Sequence, residues 1–201
     1  MPPDTYHHGA LRETLIQAAL EVIDEEGPAA LSLRELARRV GVSHAASAHH
    51  FGDKAGLLTA IAVEGQELLA AAMAEAFAAT GEFLEMGVAY VRVAVEHRAH
   101  FEIVYRPDLY HADDPELLDA QRRTGEIFRA GLATLSPRQA GPDPAIAGIA
   151  AWSLVHGFSL LWLNGLVHPD AGDSPEPVAR AAAALLFREP AATPRRRRAE
   201  A

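Results

Sequence analysis

The chain of 201 residues has no cysteine, which excludes disulfides and thiolate metal sites. Lysine is nearly missing too: Lys54 stands alone among 18 cationic residues, set against 27 acids for a formal net charge of −9. That balance argues at first against a polyanionic partner, but the charge is uneven. Residues 1–60 carry five cations, eight acids and five histidines, whereas residues 61–190 carry nine cations and eighteen acids. Most of the deficit therefore lies outside the first sixty residues. Since even these are not basic, a nucleic acid bound there would have a small footprint, and salt would weaken it.

Other absences narrow the class further. No basic, apolar signal region opens the chain. The most apolar stretch, 146–167, is interrupted by Ser153, His156, Ser159, Asn164 and several glycines, which suits a buried helix better than a membrane span. A cytoplasmic protein with no membrane partner is expected. Sustained period-two alternation is missing, so no sheet is expected, and no repeat recurs at solenoid periods. There is no Gly-rich phosphate loop, no serine elbow and no obviously paired carboxylates, so neither an enzyme nor a cofactor is expected.

What is present reads as helix throughout. Leu11, Leu15, Ala18 and Val22 form one stripe of a first helix over 11–26, opposite Glu13, Gln17 and Glu21, and Gly27-Pro28 stops it. Further helices are read at 54–79, 82–98, 99–105, 116–135, 145–167 and 176–188. A Pro/Gly-rich break at 137–144 separates two of them.

The segment from Leu31 to Leu58 is the most specific. Ser32 followed by Glu35 predicts a capping box, after which Leu33, Leu36, Ala37 and Val40 share one helical face. Gly41 can end that helix in the left-handed conformation, Val42 is expected to be buried, and Ser43 caps the next helix. Two short helices joined by a tight turn form a helix-turn-helix, whose second helix fits a major groove. Double-stranded DNA is the expected partner.

On these residues the segment 10–58 resembles the DNA-binding domain of the tetracycline-repressor (TetR) family. The shared elements are the long first helix, the capped second helix, Gly41-Val42-Ser43, the recognition helix His44–His50 followed by Phe51, and Lys54 opening the fourth helix. Ala48 stands where the family usually has tyrosine, so one phosphate-contacting hydroxyl is missing. The resemblance implies an all-α fold: an N-terminal three-helix DNA-binding domain over 1–60 and a helical ligand-binding and dimerisation domain over 61–190. A basic tail over 191–201 follows, read as a solvated, disordered segment.

The expected DNA contacts are Ser32, Arg34, Arg38, Ser43, His44, Ala45, Ser47, His49, His50 and Lys54. Specificity is assigned to Arg34, His44 and Ser47, because alanine methyls offer only apolar contact to thymine. His49 and His50 are read as backbone donors, and Lys54 as a phosphate contact at a helix start.

The helix at 145–167 is apolar on two faces. Ala147, Ala151, Leu154, Phe158, Leu161 and Gly165 form one, and Ile149, Trp152, His156, Ser159 and Leu163 the other, so both faces need covering. A homodimer is expected through Ala151, Leu154, Phe158, Leu161 and Gly165, together with Val178, Ala182 and Leu185 of the last helix. A central helix in a monomeric bundle is the alternative. Trp152-Ser-Leu-Val-His156-Gly157 is similar to the Trp-His-Gly (WHG) signature of one C-terminal domain type in the same family.

Tyr90, Phe101, Tyr105, Trp152 and His156 are the expected lining of a pocket for a hydrophobic or amphipathic effector; ordinary core packing is the alternative. His97 with His100, and His111 with Asp113 and Asp114, have spacings a metal could use, but neither has a matching second half, so no metal is expected. The expected function is a homodimeric repressor acting at the nucleoid, released from a palindromic operator by a small molecule. A regulator without a ligand, or a helical adaptor that does not bind DNA, remains open.

Overall fold

The computed structural model describes residues 4–186, with side chains from residue 10 onward. The basic tail at 195–198 lies outside these. Ten α-helices account for the described fold, without a strand among the described residues. They are α1 (Asp4–Glu26), α2 (Leu33–Arg39), α3 (His44–Phe51), α4 (Lys54–Thr80), α5 (Phe83–Glu96), α6 (Arg98–Val104), α7 (Pro115–Leu132), α8 (Pro137–Ala140), α9 (Pro144–Leu163) and α10 (Pro175–Leu186).

The first apolar core is built where sequence periodicity placed it. Leu15, Ala18 and Val22 of α1 are buried against Leu33 and Leu36 of α2, Phe51 of α3, and Leu57, Leu58 and Ile61 of α4. It also takes in Ala99 and Ile103 of α6, with Leu117 and Ala120 of α7. Packing is therefore continuous past residue 60. A second core gathers Leu69 and Met73 of α4, Met86, Tyr90 and Val91 of α5, Ala151 and Val155 of α9, and Ala179 of α10.

Helix ends follow local chemistry, with two departures from expectation. Gly41 has φ 75°, and the Ser43 hydroxyl accepts from the Ala46 amide at 3.1 Å, as the sequence predicts. Ser32, however, occupies the cap position of α2 without a side-chain hydrogen bond. Its expected partner Glu35 instead receives Arg38 in a two-pronged pair, Nε at 2.9 Å and Nη2 at 2.6 Å. The arginine fork gives Glu35 two charge-assisted hydrogen bonds where the cap amide would give one. The capping box that does form lies in the supposed break at 137–144, where Ser136 and Gln139 satisfy one another at the start of α8. Gln139 is neutral and no cation competes for it in this way. Val42, expected to be buried, is half-buried.

Two glycines of α4 mark where that helix is fastened. Any Cβ at Gly56 would overlap the Phe51 carbonyl oxygen at the end of α3. A Cβ at Gly65 would lie 2.5 Å from Cγ2 of Val104 in α6. The Gly56 amide is also the one capped by Asp53, at 2.8 Å, and that hydrogen bond holds the Asp53 carboxyl below its usual range, helped by His111. Alanine at position 56 would gain about 1 kcal/mol of helix propensity. That gain is smaller than the roughly 1–3 kcal/mol of overpacking against backbone that cannot rotate away. Gly56→Ala should therefore lower the melting temperature, by about 2–4 °C per kcal/mol lost in a chain of this size. A melting curve at or above that of the parent would contradict the close approach.

Candidate DNA interface and effector cavity

The surface between α2 and α3 brings together Ser32, Arg34, Arg38, Val42 and His44 around a shallow groove. Arg34, His44, Ala45 and His49 are exposed. Arg34 has no hydrogen bond or ion pair among the described residues, so its guanidinium is available to a phosphate or a base edge. Arg38 is exposed but held by Glu35, which in turn is kept below the usual carboxylate range by that contact. His50 is half-buried, its ring 6.1 Å from that of Phe51.

Two of the expected contacts are placed differently. Ser47 is completely buried, and its hydroxyl donates to the His44 carbonyl at 2.8 Å. The reason is register: Ser47 precedes Phe51 by four residues, so both lie on the inward face of α3. Ser47 cannot read a base edge from there. Lys54 is half-buried, its amine donating to the Ala29 carbonyl at 3.3 Å, so a phosphate would have to compete with that carbonyl.

The five aromatic and imidazole residues expected at an effector pocket do converge. The Tyr90 hydroxyl lies 2.7 Å from that of Tyr105 and 3.0 Å from Nδ1 of His156. The Tyr105 and His156 rings are 4.4 Å apart, with Trp152 and Phe101 packed on His156 at 5.9 and 5.4 Å. Burial pushes both tyrosine hydroxyls up and the His156 imidazole down. Burial thus favours the neutral form of all three groups, and the cluster knits α5, α6 and α9 together.

A cavity of about 460 Å³ opens beside this cluster, between α4, α5, α7 and α9. Tyr90, Tyr105 and Trp152 line it, whereas Phe101 and His156 stand behind them. Much of the remaining wall comes from residues that the sequence reading did not name, including Gln66, Phe83, Met86, Thr124, Phe128 and Arg129. One signal was available. Gln66 interrupts the apolar stripe Leu58, Ala62, Leu69, Met73 of α4, and a polar residue at a core position calls for a partner.

The expected dimer residues divide. Ala151 is buried within its own subunit at 6% exposure, and Leu154 and Phe158 are half-buried against the second core. Ala151 is thus removed from any outer seam. Val178 and Ala182 are also half-buried, while Leu161, Gly165 and Leu185 are exposed. The apolar face that α9 actually leaves bare carries Ile146, Ile149, Leu160 and Leu161, at 45–60% exposure. The histidines weighed as metal ligands have other neighbours: His100 faces Glu64 at 3.6 Å and His111 faces Asp53 at 3.4 Å.

A short α2, a glycine turn, a capped and exposed α3 and a long α4 leading into a second helical unit define a helix-turn-helix DNA-binding regulator. Comparison with known proteins agrees over nearly the whole chain. Residues 15–61 match the model of bacterial regulatory proteins of the tetR family. Residues 83–186, which include the stretch from Trp152 to Gly157, match the tetracyclin repressor-like C-terminal domain. The chain is 32% identical over 176 residues to the HTH-type transcriptional regulator BetI of Pseudomonas paraeruginosa, spanning 82% of this chain and 86% of that one. A Rhodococcus sp. RHA1 protein of unknown function, 29% identical, superposes with a TM-score of 0.74 over 92% of this chain and 97% of its own. LfrR of Mycobacterium smegmatis, solved in complex with proflavine, shares the fold at 19% identity and a TM-score of 0.65, over 91% of this chain and 97% of its own. The protein belongs to the TetR family of transcriptional regulators, and it is a DNA-binding regulator, not an enzyme.

The α2–α3 geometry separates two substitutions. Arg34→Ala should weaken duplex binding and lower the salt slope by about one unit. Ser47→Ala should leave the order of preference among duplexes unchanged, since its hydroxyl is spent inside α3. Binding isotherms at several salt concentrations would check both, and a Ser47→Ala variant with altered base preference would return that residue to the interface.

Proposed function

We propose that the protein is a homodimeric repressor, released from a palindromic operator when a small hydrophobic or amphipathic molecule enters the cavity between α4, α5, α7 and α9. The reading head over 1–60 and the sensing and dimerising part over 61–190 act through α4, which is common to both. The observation that carries this reading is that α4 is shared. Its first turns back onto α3 at Gly56 and Phe51, while Gln66 and Met73, farther along, line the cavity. A molecule that favours a displaced α4 needs a differential affinity of only about 1–3 kcal/mol to lower operator affinity roughly 5- to 150-fold. The proflavine complex of LfrR supports the idea that this fold can hold a small aromatic molecule.

The dimer follows from α9. A face bearing Ile146, Ile149, Leu160 and Leu161 is costly to leave in water. Gly157, on the same side, has open space where a Cβ would stand, so a second helix could approach closely. Leu185 of α10, 71% exposed, continues the patch. Two-fold pairing there would present two copies of α3, as a palindrome requires. The protein would work in the cytoplasm, at the nucleoid.

Two measurements test this function. A duplex from the region upstream of the protein's own gene should be retarded in a gel, with the shift lost when the sequence is scrambled; equal retardation of the scrambled duplex would exclude operator recognition. Leu160→Arg alters an exposed side chain, so the fold should survive while the association fails, because a charge buried in an apolar seam costs several kcal/mol. Sedimentation should then show a dimeric parent and a monomeric variant at micromolar concentration. A parent that sediments as a monomer would exclude the two-fold arrangement.

A further inference from the structure

The effector class can be narrowed from the polar groups that the cavity leaves unsatisfied. Among the described residues no aspartate, glutamate or histidine lines it, and its one charged side chain is Arg129 of α7. The Arg129 guanidinium has no hydrogen bond or ion pair among the described residues. The side chain is exposed and runs back along α7 past Gly125, where an added Cβ would be 3.1 Å from Nη1. Gly125 and Arg129 both belong to the cavity wall.

One turn away, Thr124 donates its hydroxyl to the Gln66 carbonyl at 3.1 Å and to the Ala120 carbonyl at 3.0 Å, which places α4 against α7 beside the guanidinium. Gln66 is buried at 8% exposure, yet its side-chain amide makes no hydrogen bond among the described residues and opens onto the cavity. Its polar atoms are not sealed off, since no buried side-chain nitrogen or oxygen among the described residues lacks a partner. A ligand that accepts from the amide would take the place of water there.

We infer that the effector is an amphipathic anion, a carboxylate or similar oxyanion on a hydrophobic body, with its head between Gln66 and Arg129 and its body along Met86, Phe83 and Phe128. This rests on the effector-sensing reading above. The aromatic wall formed by Tyr90, Tyr105 and Trp152 would also suit a cation. A cation, however, would enter a site whose single formal charge is positive and which has no carboxylate to balance it. The two tyrosine hydroxyls are already engaged with one another and with His156. For an oxyanion the guanidinium fork offers a charge-assisted, two-pronged contact. Contact with Gln66 also places the anionic head directly on α4, the helix that reaches the DNA.

Three probes of equal chain length separate the possibilities: dodecanoate, dodecanol and dodecyltrimethylammonium. Each is titrated into the full chain with Trp152, in the cavity wall, as the fluorescent reporter, below the micelle concentration of each probe. Dodecanoate should bind most tightly. Arg129→Gln should weaken it about ten- to hundredfold, the value of one hydrogen bond to a charged group, and leave dodecanol within about twofold. Arg129 is exposed, so that variant should fold as the parent does. Gln66→Leu should weaken dodecanoate while improving dodecanol, and its melting curve guards against misfolding. Binding of dodecyltrimethylammonium as tight as dodecanoate, or an Arg129→Gln variant with an unchanged dodecanoate-to-dodecanol ratio, overturns the anion assignment while leaving the cavity as a sensor. Failure of all three probes to bind overturns the sensing reading itself.

Discussion

Nearly every functional relation in this protein passes through the burial of α4 in two cores at once. At 27 residues the helix is about 40 Å long. Its N-terminal part is fixed among α1, α2 and α3 by Leu57, Leu58 and Ile61, and its middle among α5 and α9 by Leu69 and Met73. A sharp bend would break backbone hydrogen bonds, so on the function proposed above a displacement at one end of α4 would be carried to the other. The polar ties around it are modest. Glu64 meets Arg12 at 3.4 Å and His100 at 3.6 Å, Glu67 meets Arg123 at 3.2 Å, and Asp53 meets His111 at 3.4 Å. Exposed and half-exposed pairs of this kind contribute about 0–1 kcal/mol each. Apolar contacts set the resting position of α4, and the ion pairs add resistance comparable to the coupling that a small ligand can supply.

The acidity of the chain acquires a local meaning in the same frame. Arginines of the first sixty residues are largely engaged within the protein: Arg38 by Glu35, Arg39 by Glu26 at 3.8 Å, and Arg12 by Glu64. Arg34 stands apart from these pairs. A reading head so internally neutralised draws little on bulk electrostatic attraction, so recognition depends on the placement of α3 and the amide-rich helix starts. On the function proposed above, α4 would control that placement through its close approach at Gly56.

The sequence carried the helical pattern and the DNA-binding motif almost intact, because both rest on short-range chemistry: the apolar stripe of α1, the positive φ of Gly41, the Ser43 cap. It misled where a residue had two possible partners or two possible faces. Ser32 and Glu35 have the spacing of a capping box, but Arg38, one turn on, offers Glu35 two charge-assisted hydrogen bonds. Ser47 lies near an exposed helix start, yet its position relative to Phe51 turns it inward. For α9 periodicity revealed two apolar faces and could not say which faces in. Close approach decides that. A Cβ at Gly148 would be 3.0 Å from Leu132, and one at Gly87 would be 3.1 Å from Val155, so the small residues Gly148, Ala151 and Ser159 pack inward. The bulky Ile146, Ile149 and Leu160 are left outside.

That inversion brings the two unfinished surfaces of the molecule onto one helix. Ile149 and Trp152 both line the cavity and are also exposed, at 58% and 47%. On the dimer proposed above, the covering of α9 by a second copy would therefore reach the residues that form the cavity wall. A change in the set of α9 on filling the cavity would be felt across the seam, and pairing would in turn restrict the shapes the cavity can take. Linkage makes such an effect reciprocal: whatever free energy the ligand contributes to the pairing geometry, pairing returns as ligand affinity. The close packing of the small inward residues Gly148, Ala151 and Ser159 ties α9 to the rest of its own domain, so a change in the cavity would reach its outer face.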